Sequence, residues 1–119
     1  MLTKAGWKVQ NRKDADLGAS LGIAIREYVF TTGEADYALF VDRKPVGVVE
    51  AKPEGTTVSA VFDQARKYAD GQPRYFQLTQ ALPFIYVSTG VETYFCDSRD
   101  PDFRSRRVFS FHRPETLLV

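Results

Sequence analysis

The sequence predicts an α/β domain with a mixed β-sheet, and two patterns along the chain support this prediction. Short segments rich in β-branched and aromatic residues alternate with turns that contain Gly, Pro or Asp, which is typical of strands. Residues 57–71 instead place apolar side chains at helical spacing, and Gly71 and Pro73 end this helix. A further short helix at residues 1–6 gives the element order α-β-β-β-α-β-β-β. The predicted strands are residues 23–30, 36–42, 46–52, 84–88, 91–96 and 108–111.

Two connections between these predicted elements are informative. Residues 11–22 are polar and contain Gly, so we predict a loop there with at most one helical turn. The second and third strands are joined only by Arg43, Lys44 and Pro45, a link short enough to predict a β-hairpin. This hairpin brings the beginning of the second strand next to the end of the third.

Length and composition indicate one globular domain, residues 1–119, in a reducing compartment. Hydrophobic residues make up 44% and charged residues 26%, ordinary values that exclude a disordered chain. Cys96 and His112 are the single cysteine and histidine, so neither an internal disulfide nor a Cys/His zinc site is expected. No apolar run reaches membrane-spanning length and the N-terminus does not resemble a signal peptide, so we predict a cytoplasmic protein without membrane contact.

The end of the third predicted strand carries side chains suited to chemistry. Glu50 and Lys52 are two residues apart, so in a strand they point to the same face, while Ala51 points to the other. Residues 46–49 are largely apolar, which predicts a buried strand that emerges from the core at Glu50. Ligand sites in α/β sheets favour such strand ends.

Asp36, at the beginning of the second strand, joins this pair only if the hairpin has a particular register. An odd number of loop residues places Asp36 on the face of Glu50 and Lys52, whereas a two-residue loop turns it away, because a one-residue slip reverses the face. The site therefore requires an odd loop or a β-bulge, and Gly47 is the candidate bulge position. Two converging carboxylates repel each other, and a divalent cation such as Mg²⁺ resolves that conflict with oxygen ligands.

Four segments together resemble a known family. They are GWKVQ at 6–10, ADYALFVDRKPVGVVEAK at 35–52, the Gln64-x-x-x-Tyr68 pair, and FSFHRPETL at 109–117. The set resembles the N-terminal nuclease region of type I restriction enzyme R (motor) subunits, within the restriction-endonuclease-like PD-(D/E)xK superfamily. The ExK element by itself is weak, because it recurs by chance. In combination with Asp36 and QxxxY at this spacing it is specific, and it covers nearly the whole chain.

The resemblance implies a restriction-endonuclease-like core, a mixed β-sheet flanked by helices, and a Mg²⁺-dependent DNA endonuclease. By resemblance, Asp36, Glu50 and the carbonyl of Ala51 hold the metal, Lys52 completes the catalytic set, and Gln64 and Tyr68 lie near DNA. It also implies a motor segment and methyltransferase and specificity subunits as partners. The chain has no G-x-x-x-x-G-K-[ST] loop, so ATP is expected only through that motor, and the chain is either part of a larger subunit or a stand-alone relative.

Each assignment has a plainer alternative. Asp36 can serve in a turn, Glu50 and Lys52 can form a weak ion pair on a solvated edge strand, and Tyr68 can be a core residue. For the whole domain, the alternative is a nuclease-like module that binds DNA or partner subunits without cutting; a structural domain of a repair complex is the third reading. The remaining expectations are a salt bridge for Glu27, packing roles for Tyr75, Phe76, Cys96 and His112, and a solvated or phosphate-contacting loop at 99–107.

Overall fold

The computed structural model describes residues 2–30, 33–53, 61, 82–89, 92–97, 99 and 105–117. In these residues seven strands form one sheet, and their order in the sheet follows their order in the chain. The strands are β1 (Lys8–Gln10), β2 (Gly22–Phe30), β3 (Gly33–Val41), β4 (Lys44–Ala51), β5 (Phe84–Ser88), β6 (Thr93–Asp97) and β7 (Arg106–Val108). Three 3-10 helices accompany them, η1 (Thr3–Ala5), η2 (Arg12–Asp14) and η3 (Pro114–Leu117).

The sheet is mixed, as the sequence predicted. β1 is parallel to β2 and β4 is parallel to β5, while the other neighbouring pairs are antiparallel. The parallel β4–β5 pair requires a long crossover connection, and the helix predicted at 57–71 falls within it. Of that helix only Val61 lies among the described residues, where it is helical and buried. The prediction of flanking helices therefore falls mostly outside the described residues.

The N-terminal segment differs in detail from the prediction. The helix predicted at 1–6 is the single 3-10 turn η1, which is too short for α-helical hydrogen bonds. Gly6 ends it with a φ of 94°, a left-handed conformation that glycine adopts without strain. The predicted loop at 11–22 contains one turn, η2, as expected. Among the described residues, no helix is long and apolar enough to cross a membrane.

β4 is a central strand of the sheet, and apolar side chains cover both of its faces. Val49 belongs to one core cluster with Trp7 and Tyr86, and Val48 belongs to a second cluster with Ile25. β4 hydrogen-bonds to β3 on one side and to β5 on the other. The solvated edge strand considered for Glu50 and Lys52 is therefore wrong. A central strand that is buried on both faces has a nearly continuous apolar sequence, as residues 46–49 do.

The C-terminal segment packs across the beginning of the chain. The indole of Trp7 donates to the carbonyl of His112 over 2.8 Å, and the Tyr86 hydroxyl hydrogen-bonds to the His112 imidazole. Burial lowers the pKa of His112 and nearby Arg106 lowers it further. The packing role predicted for His112 is thus confirmed, and the buried position of Cys96 agrees with its prediction as well.

Candidate functional site

The β3–β4 hairpin sets the position of Asp36, and its turn differs from the predicted one. Val41 pairs with Lys44, so the loop has two residues, Asp42 and Arg43, rather than three. Both have positive φ, 50° and 68°, which is the backbone of a type I′ turn. Such a turn matches the right-handed twist of the strands, so Lys44 and Pro45 continue the strand instead of forming the loop.

A β-bulge then corrects the register. Leu39 pairs with Gly47 while Phe40 pairs with Pro45, so Val46 is one extra residue in β4. The two-residue loop alone would have turned Asp36 away from Glu50, and the extra residue reverses the face once more. The bulge lies directly before Gly47, the position named from the sequence, and the continued register places Asp36 opposite Glu50.

The two carboxylates are held by the backbone of the opposite strand. The Ala51 amide donates to Asp36 Oδ2 over 2.8 Å, and the Asp36 amide donates to Glu50 Oε1 over 3.4 Å. Side-chain oxygens therefore occupy the places that backbone carbonyls hold elsewhere in an antiparallel ladder. This reciprocal arrangement fixes both carboxylates at the point where β3 and β4 end their regular pairing.

Lys52, the residue directly after β4, completes the group. Its ammonium Nζ lies 3.5 Å from Glu50 Oε2, and its side chain is 29% exposed while that of Glu50 is 2% exposed. The Lys52 amide donates to the carbonyl of Ser88 over 2.8 Å, so β5 anchors this residue beyond the end of the strand. The pair is thus a half-buried ion pair rather than a mobile surface contact.

The environment of Glu50 disfavours its negative charge. Burial first, and then the neighbouring Asp36 carboxylate, together raise the pKa of Glu50 from 4.5 to about 7, although Lys52 acts to lower it. A divalent cation between the carboxylates would remove the repulsion and favour the ionised form. The donor set fits Mg²⁺, which binds through one or two carboxylates and backbone oxygens and retains several waters.

Within the described stretches, no group of three or more His, Cys, Asp or Glu side chains is placed to hold a metal. Among the described residues, the oxygen ligands would be Asp36, Glu50 and the carbonyl of Ala51, as the resemblance implied. Such a set of hard oxygen donors suits Mg²⁺ better than Zn²⁺, because zinc sites in proteins favour nitrogen and sulfur ligands.

Other residues singled out in the sequence lie in different places. Gln64 and Tyr68 fall outside the described residues, as do Tyr75 and Phe76. Glu27 is exposed, has a φ of 52°, and forms no ion pair with a described residue, so its predicted salt bridge is not found there.

The basic run at 99–107 is described in part, and its described arginines contact nearby residues. Arg99 pairs with Asp97 at 2.9 Å, and its side-chain hydrogen bond lowers the pKa of that carboxyl. Arg107 lies 3.6 Å from Glu92, and Arg106 stacks over Phe95. These contacts agree with the solvated reading of the run.

Sequence reasoning missed the contribution of Ser88. The carbonyl of this residue positions Lys52, and Ser88 is 3% exposed at the end of β5. The available signal was the apolar run 84–87 that ends in Ser88, because parallel neighbouring strands bring their carboxyl ends to the same sheet edge.

Comparisons with known proteins agree on one family. The family model described as the second domain of the type I restriction enzyme EcoKI endonuclease subunit matches residues 7–119. The EcoKI endonuclease subunit of Escherichia coli (strain K12) is 27% identical over 168 aligned positions, covering 98% of this chain and 14% of that subunit. No solved structure matches. The chain therefore belongs to the family of the second domain of the EcoKI type I restriction endonuclease subunit.

Proposed function

We propose that this chain is a Mg²⁺-dependent endonuclease domain that hydrolyses DNA phosphodiester bonds within a type I restriction system. The observation that carries the proposal is the opposition of the Asp36 and Glu50 carboxylates, with Lys52 3.5 Å from Glu50, at an end of a buried strand. Membership in a family named for an endonuclease subunit supports the same reaction class.

The proposed roles follow from the chemistry of each group. Asp36, Glu50 and the Ala51 carbonyl would hold Mg²⁺, which would supply Lewis acidity and activate a water for attack on the phosphodiester. The Lys52 ammonium donates to a phosphate oxygen and stabilises negative charge that develops in the transition state. The amide of Ala51 keeps Asp36 in place while substrate enters, because it binds Oδ2 and leaves the other carboxylate oxygen for the metal.

The proposal also includes DNA contacts, a motor segment and partner subunits that lie outside this group of residues. Gln64 and Tyr68 are proposed DNA contacts on the helix predicted after β4, on the strength of the family resemblance. ATP hydrolysis belongs to a motor segment, and site recognition and methylation belong to specificity and methyltransferase subunits. The chain spans 14% of its curated relative, so these assignments concern the larger cytoplasmic complex.

The test is plasmid nicking with Mg²⁺ and with EDTA, using Glu50→Gln as the isosteric variant. Glu34→Gln is the matched control, because Glu34 lies on β3 with its side chain 51% exposed and pairs only loosely with Arg12. We expect nicking that requires Mg²⁺, a loss of about 100-fold or more in Glu50→Gln, and no loss in Glu34→Gln. Equal nicking by both variants would exclude a catalytic role for Glu50. DNA binding without any nicking by the wild type would instead support the non-catalytic module.

A further inference from the structure

A second concave site lies on the sheet face opposite Glu50. It is an open cleft of about 280 Å³, with buried Val49 and Phe111 among its apolar lining and with Arg26, Tyr37 and Ala51 at its more exposed margin. Pockets that bind small ligands usually measure about 300–1,000 Å³. At about 280 Å³ the cleft lies at the lower limit of this range, a size for one nucleotide-like unit and not for a duplex.

The cleft and the carboxylate site share one strand end. Val49 and Ala51 line the cleft and are the two neighbours of Glu50, whose side chain points to the other face because side chains alternate along a strand. Ala51 is exposed, so the sheet edge between the two sites is open. A chain-like ligand that crosses this edge would place one unit at Glu50 and an adjacent unit in the cleft.

The charge of the cleft favours an anion. Arg26 is exposed on β2, where it pairs in register with Tyr37, and among the described residues none forms an ion pair with it. None of the described residues that line this cleft has an acidic side chain. The neighbouring cleft also includes Arg26, together with Arg12 and Lys13, but there the carboxylates of Asp14 and Glu27 offset part of the positive charge.

The side chains match the parts of a nucleotide. A guanidinium pairs with phosphate oxygens through two parallel hydrogen bonds, and an aromatic ring offers a stacking surface to any base. Both groups stand on the face of the sheet that the cleft occupies, one on β2 and one on β3. We infer that the cleft receives an unpaired nucleotide of the DNA strand, with Arg26 on its phosphate and Tyr37 against its base, while the adjacent phosphodiester lies at Asp36 and Glu50.

This inference rests on the proposed function, because it assigns the path of the same substrate. The first test measures binding of a fluorescein-labelled single-stranded decanucleotide by anisotropy, at low salt and with EDTA. Lys44→Ala is the charge-matched control: Lys44 begins β4, whereas the cleft lies at the other end of that strand. We expect Arg26→Ala to weaken binding about tenfold and Lys44→Ala to leave it nearly unchanged. Equal effects of the two variants, or none, would overturn the assignment.

A second measurement locates the base directly. A decanucleotide with 5-iododeoxyuridine should crosslink to Tyr37 on irradiation, and the crosslink should disappear in Arg26→Ala. Crosslinks confined to other peptides would contradict the assignment. Hydrolysis of bis(4-nitrophenyl) phosphate separates this inference from the proposed function, because that small diester needs only the carboxylate site. We expect the wild type to hydrolyse it with Mg²⁺ whether or not oligonucleotide binding depends on Arg26, so a failed cleft assignment leaves this activity intact and a failed nuclease shows none.

Discussion

Glu50 stands at the position where burial and charge conflict most directly. Its side chain is 2% exposed and faces a second carboxylate, and Lys52 offsets only part of the cost of ionisation. A buried carboxylate in such a setting takes up a proton or a cation. The residue thereby couples metal binding, protonation and folding stability, and each of these can be measured separately.

The first prediction concerns the stability of the metal-free protein as a function of pH. The folded pKa of Glu50 is about 7 and the ordinary value is 4.5, so between these values the folded state binds more protons than the unfolded state. The contribution of Glu50 is therefore fully present below pH 4.5 and is lost as pH rises through 7, by about 3 kcal/mol. Urea unfolding in EDTA across this range should show that loss in the wild type.

Glu50→Gln isolates the contribution, because an amide does not titrate here. The difference in unfolding free energy between this variant and the wild type should shift in favour of the variant as pH rises from 4.5 to 8. Glu34→Gln, at an exposed position, should follow the wild type. A constant difference across the range would mean that Glu50 titrates normally. Excess Mg²⁺ should stabilise the wild type at pH 8 and not Glu50→Gln.

The second prediction is that the Lys52 side chain is required for cleavage but not for folding. Lys52→Ala should abolish nicking while the domain stays folded, because the side chain lies at a strand end and the backbone bond to Ser88 does not need it. Circular dichroism and the nicking assay decide this, with Lys44→Ala as control. Wild-type nicking in Lys52→Ala would exclude a catalytic role for the ammonium.

At the scale of elements, the hairpin shows what the sequence could and could not predict. The two-residue periodicity of strands placed Glu50 and Lys52 on one face. It also showed that the hairpin needed an odd loop or a bulge to bring Asp36 to that face. It could not choose between an odd loop and a bulge, because Asp42-Arg43 lacks the glycine that usually marks a type I′ turn. The bulge at Val46 depends on pairing with both neighbouring strands, which no local pattern contains.

The third prediction tests the packing beside that bulge. A Cβ at Gly47 would lie 2.4 Å from the carbonyl oxygen of Phe84, so β4 and β5 could not keep their spacing. Gly47→Ala should lower the unfolding free energy by about 1–3 kcal/mol. Because the same pairing carries Glu50 and anchors Lys52 through Ser88, nicking should fall as well.

Gly18→Ala is the matched control for this substitution. A Cβ there would meet only the end of the Arg43 side chain at 3.3 Å and the Asp16 carboxylate at 3.4 Å, which can move. Chemical denaturation of both variants gives the comparison. A Gly47→Ala protein as stable as Gly18→Ala would show that β4 and β5 adjust to the added methyl group.

At the scale of the whole molecule, the sheet draws its support from segments far apart in sequence. Trp7 and His112 join the two ends of the described chain, and Leu2 and Phe111 both line the cleft beneath Arg26. The sequence predicted the strands of a mixed sheet because the residue patterns that indicate strands are local. It did not predict the cleft or the raised pKa of Glu50, because both arise from contacts between distant segments.

The last prediction concerns the isolated chain, which we expect to bind DNA weakly and to cut it slowly. Its 16 Lys and Arg residues are balanced by 15 Asp and Glu residues, and non-specific affinity depends on the phosphates that cations neutralise. A bound phosphodiester also supplies oxygen ligands to Mg²⁺, so weak DNA binding leaves the metal weakly bound. A motor segment that delivers DNA would remove the need for tight binding by this domain.

Anisotropy with duplex DNA at physiological salt tests this expectation together with Mg²⁺-dependent nicking. We expect a Kd of about 10⁻⁴ to 10⁻⁶ M that weakens steeply as salt increases, and nicking that requires high Mg²⁺. Raising the DNA concentration should lower the Mg²⁺ needed for half-maximal nicking, because substrate and metal share ligands. Submicromolar binding with rapid cleavage in the absence of any motor would contradict the prediction and identify the domain as a self-sufficient nuclease.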